Sequence, residues 1–215
     1  MIKELFNEPN LIVMIGKSKS GKSYLARSLL TQACLKKYFS FGLIFCQTKF
    51  NGGYDYVPDK YVIAGYDEEI LGKYLKKIED YQNKTGKKPP RSFIIFDDIM
   101  GSLKNSDLFK KFVSTYRHYN ISVIICMQYV AGLSTLGREQ ISFAFIFPQS
   151  TARSFKMLYE SIGGDFESDK QFTKFIKEGT KEKYSCIFYD ESANDLEDKF
   201  RKFKAKKVED IKIKY

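Results

Sequence analysis

Residues Gly16-Lys17-Ser18-Lys19-Ser20-Gly21-Lys22-Ser23 have the spacing Gly-x4-Gly-Lys-Ser, the Walker A pattern that suits a loop wrapped around a nucleoside triphosphate. Glycines let backbone N–H groups curl around phosphate oxygens, and a helix starting at the loop adds a favourable dipole. In this reading Lys22 reaches the β- and γ-phosphates of ATP and the Ser23 hydroxyl ligates Mg2+. The binding stretch runs from Gly16 to Tyr24, with Lys17 and Lys19 at variable positions expected to be solvated. A second group, Phe93-Ile94-Ile95-Phe96-Asp97-Asp98, is an apolar run ending in carboxylates, as a Walker B strand requires. Asp97 is expected to hold the magnesium through its water shell. Asp98 stands where many ATPases place a Glu that orients the attacking water, with one methylene less reach. The run Ile121-Ser122-Val123-Ile124-Ile125-Cys126-Met127 ends at Gln128, an amide placed to sense the γ-phosphate. Arg138, ten residues on, could enter a neighbouring subunit's nucleotide site and stabilise transition-state charge, with Arg117 and Arg153 as competitors.

The elements that must carry these groups are legible as period changes. Continuous apolar runs at 11–15, 42–46, 93–96, 121–127 and 143–147 predict buried parallel strands. A short strand at 61–64 and another at 184–189 are also expected. Between them, apolar residues at helical spacing predict helices over 22–37, around 70–78, 108–116 and 153–162. A polar loop from Gln82 to Pro90 should separate the second helix from the Walker B strand. Strands alternating with helices imply an α/β fold with a mostly parallel sheet and helices on both faces. One domain should span 1–215, with a basic tail over about 190–215. Leu196, Phe200 and Phe203 share a helical face, so a helix near 195–204 followed by a flexible basic end is expected. From Lys199 to Tyr215 there are eight Lys or Arg and two carboxylates, a net of +6.

Composition narrows the partners. Of 215 residues, 43% are apolar and 29% charged, an ordinary globular balance. No apolar run approaches the ~20 residues of a membrane helix, and the N-terminus lacks a signal-peptide layout, so a non-secreted protein is expected. Cys34, Cys46, Cys126 and Cys186 form no C-x-x-C pair, and three lie in apolar runs, which predicts buried reduced thiols. With His118 as the single histidine, metal chemistry must use carboxylates, hydroxyls and phosphate oxygens, hence magnesium. The net charge of +10 favours nucleic acid or another anionic surface.

Taken together, these residues resemble the poxvirus-type genome-packaging ATPases of large DNA viruses and virophages, a branch of the FtsK/HerA superfamily of P-loop NTPases. The resemblance rests on Gly16 to Ser23, on the second strand leading to Thr48, Asn51 and Tyr54, and on Phe96-Asp97-Asp98. It also rests on Arg117-His118-Tyr119-Asn120-Ile121-Ser122-Val123-Ile124, with Gln128 and Arg138 behind, so that it spans residues 11 to 147. It implies a RecA-like (ASCE) fold and a homo-oligomeric ring of five or six subunits. Such a ring hydrolyses ATP to drive double-stranded DNA into a preformed capsid, with Arg138 acting in trans and a capsid or portal-vertex protein as partner. The setting implied is the host cytoplasm or virus factory. The segment Leu136-Gly137-Arg138-Glu139-Gln140 departs from the Ile-Arg-x-Asn form of the family's finger.

Other functions fit the Walker A loop alone. A cellular FtsK/HerA-type DNA translocase shares every residue above. A small P-loop kinase shares the size and the loop, but the sparse arginines and the strand ending at Gln128 argue against it. A nucleotide binder without catalysis is disfavoured by intact Lys22, Ser23, Asp97 and Asp98. For a translocase, Lys49, Lys104 and residues 199–207 are the candidate contacts to the DNA backbone.

Overall fold

The run Leu11–Ile15 forms the first strand, and all five residues are buried, as a strand covered on both faces must be. The computed structural model describes residues 1–51 and 53–205, the side chain of Asn51 excepted. In chain order the strands are β1 (Leu11–Ile15), β2 (Phe41–Cys46), β3 (Val62–Ala64) and β4 (Ser92–Asp97), then β5 (Ile121–Met127), β6 (Phe143–Ile146), β7 (Ser185–Asp190) and β8 (Phe200–Lys204). The helices are α1 (Ile2–Phe6), α2 (Lys22–Leu35), α3 (Glu68–Thr85), α4 (Met100–Leu103), α5 (Asp107–Thr115), α6 (Thr135–Glu139), α7 (Ala152–Ile162), α8 (Asp169–Gly179) and α9 (Leu196–Lys199).

All eight strands join one sheet in the order β3-β2-β4-β5-β1-β6-β7-β8. Pairing is parallel from β3 to β6, and antiparallel between β6 and β7 and between β7 and β8. Strand alternation sends Leu11, Val13 and Ile15 into the core under α3, α5, α7 and α8. Ile12 and Met14 face the opposite core, with α1 and α2. The mostly parallel sheet with helices on both faces is therefore as expected. The order also places β5 between β1 and β4, with Ile15 beside Met127 and Asp97 beside Cys126. The chain thus leaves β1, β5 and β4 side by side at the end where parallel α/β sheets bind ligands.

Several expectations are corrected. The segment near 195–204 is not a helix: one turn, α9, gives way to strand β8, which pairs with β7. In a strand, Phe200 and Phe203 point to opposite faces. Phe200 packs edge-on to Phe166 at 5.1 Å on one side of the sheet, and Phe203 packs on Phe145 at 5.5 Å on the other. A free sheet edge offered by β7 outweighs a weak helical period. The flexible basic end expected beyond it falls on residues 206–215, outside the described residues.

Helix α3 continues to Thr85 rather than ending before Gln82, and Gly86 caps it in left-handed backbone (φ 62°), which costs glycine nothing. Helix α2 ends at Leu35, two residues short of the expected stop. Helix α8 was not anticipated, although Phe172 and Ile176 have helical spacing and both are buried. None of the four cysteines forms a disulfide, and Cys46, Cys126 and Cys186 are buried. Among the described residues no helix is long and apolar enough to cross a membrane.

Candidate nucleotide site

The Walker A loop is pinned between two neighbouring strand ends. The Gly16 N–H donates to the Met127 carbonyl behind β5 (3.1 Å), while the Phe147 N–H behind β6 donates to the Ile15 carbonyl (2.8 Å). Gln149 Nε2 donates to the carbonyls of Ile15 (3.2 Å) and Phe147 (2.8 Å), tightening the same junction. Gly16 lies so close to the β6 exit that an added Cβ would sit 2.5 Å from Phe147 Cβ. A β-carbon cannot rotate away, so backbone must shift. Gly16→Ala is therefore expected to destabilise the fold by about 1–3 kcal/mol, the usual cost of overpacking, read from urea melts. Farther along the loop, Lys19 (φ 59°) and Gly21 (φ 107°) take left-handed backbone. Alternating right- and left-handed residues turn successive N–H groups to one side, which is how a loop becomes an anion nest. Lys17, Ser18 and Lys19 are exposed on it, and Tyr24 is exposed in the first turn of α2.

Helix α2 begins at Lys22, so its first-turn N–H groups have no intrahelical acceptors. The Lys22 side chain is buried and folds back over the loop, donating to the carbonyls of Gly16 (2.7 Å) and Lys17 (3.0 Å). Ser23 Oγ donates to Asp97 Oδ2 at 3.0 Å, joining residues 74 apart in sequence. The same oxygen accepts a 2.8 Å hydrogen bond from Tyr54 Oη. Burial pushes the Asp97 carboxyl above its ordinary range, with the hydrogen bonds from Tyr54 and Ser23 partly opposing it. Cys46 on β2 and Cys126 on β5 flank Asp97 in register. Burial, reinforced by the Asp97 charge, keeps the Cys126 thiol well above the ordinary thiol range and so unreactive.

Asp98 follows at the strand end with φ 55°, a left-handed conformation that Asp tolerates better than most residues. The turn leaves Asp98 exposed, and Gln128 Nε2 donates to its Oδ1 at 3.4 Å. Lys22, Ser23, Asp97, Asp98 and Gln128 therefore converge. Arg138 does not join them: it is half-buried on α6 and donates to Thr135 Oγ1 of its own helix (3.2 Å). Arg117 lies over the Tyr116 ring, 5.2 Å from its centroid. It also lines a cavity of about 720 Å3 at the far end of the strands, with Asn10, Ser142 and Asp190. That cavity is remote from the loop, so side-chain chemistry rather than cavity size locates the site. Arg153 lies in the first turn of α7 and is exposed. Among the candidate DNA contacts, Lys49 pairs with Asp59 (2.9 Å), Lys199 with Asp165 (3.0 Å) and Lys204 with Glu182 (3.2 Å). Lys104 is exposed at the end of α4.

The residues present fit a triphosphate and a hard divalent cation. Ser20 Oγ is buried in the loop without a hydrogen-bond partner among the described residues. Among the described residues Lys22 bonds only its own loop's carbonyls, and the Ser23–Asp97 pair is an all-oxygen donor set of the kind magnesium takes. Spacing alone did not reveal Tyr54, Phe147 or Gln149. Tyr54 sits in an irregular loop, and the other two act through β6, whose place beside β1 is a matter of topology.

Known proteins are similar to this chain. The uncharacterized protein L437 of Acanthamoeba polyphaga mimivirus is 28% identical over 209 residues, covering 91% of this chain and 72% of that protein. The genome packaging NTPase B204 of Sulfolobus turreted icosahedral virus 2, solved with ATP-gammaS, superposes with a TM-score of 0.65. It is 17% identical and is covered over 97% of its length by 91% of this chain. The cytoplasmic domain of the Thermomonospora curvata type VII secretion ATPase EccC gives a TM-score of 0.63 at 14% identity, with 91% of this chain covering 25% of it. These two likenesses establish the P-loop NTPase fold. Residues 1–201 match the family described as Poxvirus A32 protein; that stretch holds the loop, both aspartates, Gln128 and Arg138, and the chain belongs to that family.

Proposed function

We propose that this chain is a genome-packaging ATPase, a motor that hydrolyses ATP to move double-stranded DNA into a viral capsid. The observation that carries the reading is the convergence of Lys22, Ser23, Asp97, Asp98 and Gln128 across three adjacent strand ends, in a chain of the Poxvirus A32 protein family. Gly16 to Tyr24 bind the triphosphate, and Lys22 turns from its loop carbonyls to the β- and γ-oxygens. Ser23 and Asp97 hold magnesium, which when bound neutralises charge on the phosphates. Asp98 orients the attacking water, and Gln128, already bonded to it, links that residue to the presence of the γ-phosphate.

Arg138 has no part in its own subunit's constellation, which suits a residue that completes a neighbour's site in a ring of five or six subunits. The net charge of +10 suits a protein that grips a phosphate backbone without reading sequence. A capsid or portal-vertex protein is the further partner, and the host cytoplasm or virus factory the setting.

A second reading, a cellular translocating ATPase of the FtsK/HerA type, draws on the fold shared with the secretion ATPase domain. Adding double-stranded DNA to purified protein at low salt is expected to raise ATP turnover several-fold, with the gain lost as salt rises, because each phosphate contact releases counterions. ATP hydrolysis indifferent to DNA at every salt concentration would sink the motor reading.

A further inference from the structure

We propose that Tyr54 is a positioning residue for the magnesium carboxylate, holding Asp97 Oδ2 by a second hydrogen bond beside the one from Ser23. The inference rests on the nucleotide-site reading above. Tyr54 Oη and Ser23 Oγ both donate to Asp97 Oδ2, at 2.8 and 3.0 Å. A serine hydroxyl that ligates a cation through a lone pair keeps its O–H for the carboxylate, so Ser23 and Tyr54 would together fix Asp97 when the metal is bound. Outer hydrogen bonds of this kind fix the orientation of a metal-holding group and set metal affinity.

The loop that carries Tyr54 is built to keep it in place. The Val57 N–H donates to the Tyr54 carbonyl at 2.9 Å, closing a tight turn. Tyr54, Tyr56 and Val57 are all buried in the core beside Leu25 and Ala26 of α2. Arg27 of the same helix lies over the Tyr56 ring at 4.7 Å and pairs with Asp55 at 3.7 Å. The loop is thus fastened to the helix that begins with Lys22 and Ser23, so the hydroxyl and the Walker A loop move together.

Burial by itself does not explain the contact. Tyr56, two residues on, is buried as well, yet its hydroxyl has no hydrogen-bond partner among the described residues. Burial of a tyrosine in this loop therefore does not by itself bring its hydroxyl a protein partner, and the bond from Tyr54 is particular to the Asp97 carboxylate.

Tyr54→Phe removes the hydroxyl and keeps the ring, and Tyr56→Phe is the matched control. The experiment measures ADP affinity by calorimetry in EDTA, then Mn2+ affinity of the ADP complex by electron paramagnetic resonance. For Tyr54→Phe, unchanged metal-free ADP affinity is expected, with Mn2+ affinity about tenfold weaker, the lower end for an outer hydrogen-bond partner. The Mg2+ concentration giving half-maximal turnover should rise in parallel, while kcat at saturating Mg2+ is retained. Tyr56→Phe should match the wild type in every measurement. Unaltered Mn2+ affinity in Tyr54→Phe overturns the proposal, as does an equal loss in Tyr56→Phe or a parallel loss of metal-free ADP binding, since either marks a packing role. Wild-type protein that binds no ADP defeats the nucleotide-site reading, and this inference with it.

Discussion

Lys22→Ala is expected to lower ATP turnover by about 10²–10³-fold, the usual loss when a preorganised charge or donor at a transition state is removed. The ammonium is buried and held over the loop by two of its carbonyls, so a turn within that loop brings it to the phosphates. Such a group costs little reorganisation as charge develops on the phosphates, which is why its loss should fall on kcat. Alanine also removes a buried aliphatic stem and two hydrogen bonds that shape the loop, so Lys22→Met is the sharper variant. It keeps most of the stem and is expected to melt close to the wild type while losing turnover equally. Wild-type turnover in Lys22→Met would remove the lysine from the chemistry.

Asp97→Asn is expected to lower turnover by about 100-fold at limiting Mg2+, the upper end for a group that holds a metal through its waters. Without nucleotide, its thermal midpoint at neutral pH should equal or exceed that of the wild type. Burial raises the Asp97 carboxyl above its ordinary value, so the folded protein holds this proton more tightly than the unfolded chain does. The stability that Asp97 contributes is then present in full below the unfolded value. It is lost as pH rises through the raised folded one. Asparagine cannot ionise, so its advantage over aspartate should grow across that window and disappear in acid. Melts at a series of pH values check this, and an advantage that is largest in acid would contradict it. A residue that lowers apo stability yet is needed for turnover is one that function, not folding, retains.

Much of the site was legible because its residues are local in the chain. Gly16, Gly21, Lys22 and Ser23 act through a loop and the helix turn that follows it, geometry set within eight residues. Asp97 and Gln128 were legible for a related reason: Asp97 ends one largely apolar strand and Gln128 follows another, and parallel strands deliver such residues to the same end of the sheet. The contact from Tyr54 was not legible, since irregular loops carry no period and the bond spans 43 residues. Nor was the left-handed backbone at Lys19 and Asp98, which their residue types permit but do not demand.

The C-terminal region marks the boundary most clearly. Leu196, Phe200 and Phe203 are compatible with a helical stripe, and alternation over five residues is too short to contradict it. The tertiary structure decided for a strand, because β7 presents an unpaired edge and both faces of the sheet there have aromatic residues to cover. By itself, then, the sequence determined the candidate phosphate loop, the carboxylates and amide proposed to face it, and a mostly parallel α/β sheet, since each follows from local spacing. Only the tertiary structure decided that β5 lies between β1 and β4, that Tyr54 joins Ser23 on one oxygen of Asp97, and that Arg138 stays apart from them. Those are relations between distant segments, and packing of the whole sheet is what brings such segments together or holds them apart.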